Sequence, residues 1–396
     1  MPKIENPRPQ HGASAERFAL WDLGFRPFYL LASIFAGLSV AIWVCQYAGY
    51  LPASTLRSPV WHGHEMLFGY AIAVVTGFLF TAVRNWTGQP TPTGAALAGF
   101  ALLWLAGRVL VLSPYAAAAA LVNAAFPVAV AVGIGIPLVR SGNRRNYFFV
   151  ALLVLLGVAA LALHLSQLGR LDWPQRVSLQ VGLDLVLFIM AVMGGRVIPM
   201  FTNNGIPGTN ARRHALVEKL ALGGVLVLLG ADLLQAPPAV IALLALVVAL
   251  AHAGRLYLWQ PWRTVATPLV WILHAAYGWI VISLVLRALA AMGVVAEPLA
   301  VHALTIGAIG GMTIGMMTRT ARGHTGRPLI VDRFEVACFV LVQFAALVRV
   351  FGGMFFHDGY LATVIVSGAC WSGAFALYAV RYWPVLSRAR FDGKPG

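Results

Sequence analysis

The stretch Trp61-His62-Gly63-His64-Glu65-Met66, with the apolar run behind it that ends at Arg84-Asn85-Trp86, decides how this chain reads. The run is long enough to cross a bilayer, since about 20 apolar residues rising 1.5 Å each cover the hydrocarbon core. Yet it opens on two imidazoles, a carboxylate and a thioether. Ionisable side chains at a membrane boundary cost free energy to hold there, so they mark a ligand, a partner or a task. In a regular helix His62 and His64 point about 200° apart and cannot serve one metal. Either Gly63 keeps the segment non-helical and the imidazoles converge, or each histidine faces its own site. In the second case His62 lies beside Glu65 and Met66, and His64 beside Leu67 and Phe68.

The rest of the chain repeats this apolar character. Of 396 residues, 60% are hydrophobic and 10% charged, with a mean hydropathy of +0.80. Soluble domains carry roughly 25% charged residues, so the chain reads as an all-α integral membrane protein rather than as two or three soluble domains. About twelve transmembrane helices are predicted, at 27–48, 62–84, 94–112, 115–139, 147–168, 176–201, 215–234, 238–259, 267–291, 299–321, 333–351 and 358–384. The connections are short, which makes 1–396 a single polytopic domain with tails at 1–24 and 386–396.

A net charge of +15 could suggest a nucleic-acid partner, but the basic residues sit in short connections between apolar runs. The partner this implies is the lipid bilayer, with no nucleic acid. With the N-terminus cytoplasmic, the predicted spans put twenty-one Lys and Arg on that side and six on the other. The positive-inside rule then places both termini in the cytoplasm. Residues 1–20 are polar and proline-rich, with no cleavable signal. Cys45, Cys338 and Cys370 fall inside apolar runs without a Cys-x-x-Cys, so they read as small buried hydrophobes. Gly-x-Pro turns come after spans two, six and ten, at Gly88, Gly205 and Gly326, which suggests three units of four helices.

Ten histidines are present, and six lie within or at the edge of spans. Neutral imidazole is the usual ligand of haem iron and of copper, while a lone span histidine more often bonds a neighbouring helix. His62, His64, His164 and His302 fall within about one turn of the outer face. His252 and His274 are level with each other on consecutive spans, about 10 Å from the cytoplasmic face. Span ten carries Gly307, Gly311 and Gly315 at spacing four, a stripe that lets a neighbouring helix approach closely. His302 points away from that stripe, beside Gly310, where a flat macrocycle could be admitted. Arg196 lies deep in span six and could pair either a cofactor carboxylate, such as a haem propionate, or a span carboxylate, Asp184 or Asp232.

Taken together, these residues resemble the NnrS family, bacterial membrane proteins of the nitric oxide response. The resemblance covers nearly the whole chain. It runs through Phe25-Arg26-Pro27-Phe28, Trp61 to Gly69, Thr81 to Gly88, and Arg196-Val197-Ile198-Pro199 with Phe201-Thr202. It continues through Trp271-Ile272-Leu273-His274, His302-Ala303-Leu304-Thr305, Met317-Thr318-Arg319 and Gly323 to Pro328. It implies a twelve-span protein of the bacterial inner membrane that contains haem, taken as b-type, and copper. A fold-level analogy to the haem–copper oxidase core, with twelve spans in three four-helix units and haem histidines on spans two and ten, points the same way.

The function expected from this is a haem- and copper-containing protein that binds, and can reduce, nitric oxide with an unidentified electron donor. His302 with His64 or His62 would ligate one haem. The remaining histidine, with Glu65 and His164, could hold copper or a second iron, and His252 with His274 could form another ligand pair. Glu65 is the candidate proton donor to a reduced N–O species. Two rival classes stand beside this reading. One is a membrane transporter or metal exporter whose helices break at Pro127, Pro137 or Pro199. The other is a haem-based sensor without turnover.

Overall fold

Helices account for nearly all of the regular structure in the computed structural model, which describes residues 17–52, 58–356 and 358–392. His11, Arg57, His357 and most of the N-terminal tail lie outside the described residues. In chain order the helices are α1 (Phe25–Tyr47), α2 (Pro59–Thr87), α3 (Gly94–Val111), α4 (Ala116–Arg140), α5 (Phe148–Gln167) and α6 (Gln175–Gly205). They continue as α7 (Ala215–Leu233), α8 (Pro238–Leu258), α9 (Pro268–Ala291), α10 (Glu297–His324), α11 (Arg333–Phe355) and α12 (Tyr360–Ser387). Among the described residues, eleven of these twelve are long and apolar enough to cross a membrane. The exception is α7, whose 19 residues include Glu218, Lys219 and Asp232. Both of its carboxylates are compensated, Glu218 by Arg255 and Asp232 by Arg287. The chain is a multi-pass membrane protein.

Local chemistry sets the helix ends. Ser58 caps α2 by accepting from the Val60 N–H, and Pro59 occupies the first position, where its missing donor costs nothing. At the other end Gly88 takes the left-handed conformation, with φ of 65°, that ends a helix without strain. Gly326 also has positive φ, but Gly205 stays helical and the left-handed residue of that turn is Gly208. The three Gly-x-Pro turns are therefore not one repeated structure. Pro127, Pro137 and Pro199 lie inside α4 and α6, which run through them unbroken.

Consecutive helices pack side by side, and α12 returns against α1 to close the bundle. The most enclosed are α2, α6, α9 and α10, and the least enclosed are α3, α7 and α8. Three of the enclosed helices, α2, α6 and α10, stand four apart in order, the interval expected of four-helix units. Both described ends of the chain meet at one end of the bundle. There Phe18 bridges Arg388, the Ala19 N–H donates to Ser387 at 2.7 Å, and buried Arg26 donates through Nη1 to the carbonyls of Leu386 and Arg388.

Three helices contain π-helical turns: Glu65–Ala71 in α2, Ala303–Gly310 in α10 and Val348–Gly352 in α11. A π turn admits an extra residue per turn, rotates the helix beyond it, and recurs at functional sites. Each one here contains or adjoins His64, His302 or Arg349.

The glycine stripe of α10 faces α9. A methyl on Gly307 would fall inside the Trp279 indole, and one on Gly315 would meet Ile272 and Leu273 at 2.9 Å. Gly307→Ala is therefore expected to lower the thermal midpoint in detergent by an overpacking cost of about 1–3 kcal/mol. Gly223→Ala, which meets nothing within 4 Å inside α7, is expected to leave the midpoint no lower, since alanine favours a helix interior by about 0.5–1 kcal/mol. The space beside Gly310, expected to admit a macrocycle, is filled by the Trp371 indole.

Candidate functional site

Two pairs of histidines occupy the end of the bundle away from the chain termini. The first pair, His62 and His302, lines a cavity of about 480 Å³ between α2, α10, α1 and the ends of α11 and α12. Its wall is largely apolar and aromatic, with Trp43, Tyr47, Tyr70 and Trp371, and Met66 also faces it. The His62 ring stacks on Trp43 at 4.3 Å, and its Nδ1 is buried with no hydrogen-bond partner among the described residues. His302 Nδ1 lies 2.6 Å from the Pro298 carbonyl, which can only accept. The proton is therefore on Nδ1, and Nε2 carries the lone pair that binds a metal.

This cavity has a lining that offers the donors that a haem would need. Its volume falls in the range of small-molecule and cofactor sites, roughly 300–1,000 Å³. Imidazoles approach from two helices, and two guanidiniums stand at the wall, buried Arg349 and exposed Arg176. His62 and His302 would hold the iron.

The second pair lies on the other face of α2. His64 Nε2 and His164 Nε2 are 3.1 Å apart, and both residues are buried. His64 Nδ1 is 2.7 Å from Glu65 Oε1, while Arg108 Nη1 donates to Glu65 Oε2 at 2.7 Å. Arg108 Nη2 also donates to Asn123 Oδ1, and the Arg108 guanidinium sits near the Phe35 and Trp104 rings. A carboxylate behind an imidazole fixes its tautomer and turns Nε2 toward a metal. Two such nitrogens suit copper(I), which imidazole binds well and which needs few ligands. With metal–nitrogen bonds of about 2 Å, the pair would open to about 4 Å.

Glu65 differs from its expected part. It is 1% exposed, but both oxygens are engaged and Arg108 supplies the counter-charge. The proton-donor expectation rested on a buried carboxyl; this one is buried, with one oxygen at His64 and the other at Arg108. Nor does it offer a free oxygen to a metal. Among the described residues no cluster of three or more His, Cys, Asp or Glu could hold a metal ion.

Toward the terminal end, His252 and His274 bond different partners. The Tyr277 hydroxyl accepts from Arg255 Nη1 at 2.6 Å and pairs with His252 Nδ1, also at 2.6 Å. Thr202 gives its proton to the Ile198 carbonyl, so His274 Nε2 donates to Thr202 Oγ1 at 2.8 Å. No hydrogen bond joins the two histidines among the described residues, and each leaves one buried nitrogen unpartnered, Nε2 of His252 and Nδ1 of His274.

Arg196 donates to Asn146 Oδ1 at 2.7 Å and lies against Trp86, Phe148 and Phe149. The span carboxylates considered for it, Asp184 and Asp232, are both held by Arg287, and Gln180 also donates to Asp184. This network borders a second cavity of about 480 Å³, whose wall includes Arg287 and Asp232. Gln180 and Arg176 face both cavities.

Sequence reasoning missed Arg108, Asn123, Arg287 and Arg349. The three arginines entered it only as charges counted to one side of the membrane. All lie inside the ends of apolar runs, where an arginine requires a partner, and that was the available signal. The three cysteines are free, and Cys338 is buried.

The family model described as NnrS protein matches residues 19–390, nearly the whole described chain. No curated protein matches. The chain belongs to the NnrS family.

Proposed function

We propose that this NnrS-family membrane protein binds haem in the His62–His302 cavity, holds copper at His64 and His164, and binds nitric oxide. One observation carries the reading. Two imidazoles from α2 and α10 face one apolar cavity, and the Pro298 carbonyl leaves His302 Nε2 with its lone pair free. Family membership supports a part in the nitric oxide response. Nitric oxide is small and apolar enough to dissolve in the bilayer, so an apolar cavity within a helical bundle is reachable without a water-filled channel.

Bound iron would supply affinity for nitric oxide and one-electron chemistry. The chain's own residues do the rest. Trp43 and Tyr47 form a stack that ends on His62 and holds its ring plane. Glu65, anchored by Arg108, keeps the His64 proton on Nδ1. The apolar wall keeps water from competing at the site. The excess of Lys and Arg in connections at the terminal end supports a cytoplasmic position for both termini, with the histidine pairs toward the outer face of the inner membrane.

Protein purified from haem-replete cells tests this directly. A Soret band with bis-histidine features, and copper by metal analysis, is the expected result; a colourless, copper-free preparation would overturn it. Adding nitric oxide with an electron donor and measuring nitrous oxide then separates turnover from binding. A transporter reading keeps one observation in its favour, the Asp184–Arg287–Asp232 network beside the second cavity, and a colourless protein would move the assignment there.

A further inference from the structure

We infer that Arg349 is the anion-binding residue of the His62–His302 cavity and takes a carboxylate of the planar, largely apolar group bound there. This rests on the haem reading of that cavity.

Arg349 belongs to the π-helical turn of α11 and is 6% exposed. Its Nη2 donates to the Tyr360 hydroxyl at 2.7 Å, and the guanidinium carbon lies 4.9 Å from the centre of the Tyr360 ring. Nη1 is buried and has no partner among the described residues. Buried Arg108 and Arg255 have carboxylates, Glu65 and Glu218, and half-buried Arg287 has Asp184 and Asp232, while buried Arg26 donates instead to the backbone carbonyls of Leu386 and Arg388. Arg349 has a neutral phenol and, among the described residues, no carboxylate. Glu297, the acidic residue on the cavity wall, makes no ion pair with it.

A guanidinium held out of water without a counter-ion is costly unless an anion joins it. The free donor is on a residue that lines the cavity, so the cavity is where that anion belongs. The walls are mostly apolar, which excludes a small hydrated ion as the main occupant and calls for an apolar body carrying an acid group. A carboxylate suits the planar fork of arginine, although with Nη2 already committed to Tyr360 the contact would run through Nη1. Arg196, the arginine that sequence reasoning put forward for a haem propionate, is instead bonded to Asn146 and does not line this cavity.

The test uses full-length protein carrying its native pigment, as wild type, Arg349→Leu and Arg349→Lys. Haem loss to excess apomyoglobin is expected to be roughly 10- to 100-fold faster in Arg349→Leu, the range for losing an outer-shell partner. Arg349→Lys should recover much of the retention, and the Soret position should be the same in all three. A second measurement separates anion recognition from a packing role. Cofactor-depleted wild type should bind iron protoporphyrin more tightly than its dimethyl ester, and Arg349→Leu should bind the two alike. Wild type that takes both forms equally would overturn the inference even if the leucine variant fails to fold. So would unchanged haem loss in Arg349→Leu. Either result leaves a haem-loaded wild type, whereas a colourless wild type would mean that the haem reading itself had failed, and this inference with it. Displacement of the pigment by a fatty acid in wild type but not in Arg349→Leu would identify a lipid carboxylate as a rival occupant and overturn assignment of the site to haem alone.

Discussion

His302→Ala is expected to abolish the Soret band of the purified protein, while His214→Ala leaves it unchanged. His302 offers a lone pair on Nε2 because the Pro298 carbonyl holds its other nitrogen. Loss of a ligand should cost more than the 10- to 100-fold in affinity that comes with loss of a supporting partner. His214 is an exposed residue ahead of α7 with no place in the cavity, so its loss controls for handling and expression. Haem per polypeptide, read from the pyridine haemochrome, decides the matter. Equal haem in His302→Ala and wild type would remove α10 from the site.

Arg108→Leu should be the most destabilising single change at the second histidine pair. It leaves Glu65, 1% exposed, as a buried charge without its counter-ion. Breaking one side of a buried ion pair costs about 3–5 kcal/mol, read as a large drop in the thermal midpoint in detergent. Copper content should fall with it, since Glu65 orients His64. The double variant Arg108→Leu with Glu65→Gln should recover part of the loss, because no lone charge then remains. A double variant no more stable than the single would assign the cost to lost packing against Phe35 and Trp104 instead.

The fold was legible where the bilayer imposes it. The predicted second span, 62–84, lies within α2 at Pro59–Thr87, and the predicted tenth, 299–321, within α10 at Glu297–His324. Apolar runs of this length leave little choice, because every backbone polar group in hydrocarbon must be bonded within the helix. Even the seventh helix was read as a span from its apolar stretch, although its charges set it apart and are neutralised only by arginines on other helices.

The candidate site was legible in depth and not in direction. Rise per residue puts His62, His64, His164 and His302 at one level whatever the packing. Which of them meet depends on how each helix is rotated, and α2 and α10 change their winding through π-helical turns next to these histidines. The partner of Arg196 was unreadable for a related reason. Asp184 and Asp232 are suitable carboxylates in sequence, but Arg287 on α9 reaches them and Arg196 reaches Asn146.

The sequence by itself determined the number of helices and their order, since span length and helical rise are set by the bilayer and the backbone. Only the tertiary structure decided that Trp61–Met66 serves two places. It turns His62 toward His302 and His64 toward His164, because residues about 200° apart on one helix must face different neighbours. It also left Arg349 without an anion among the described residues, which no count of charges along the chain could reveal.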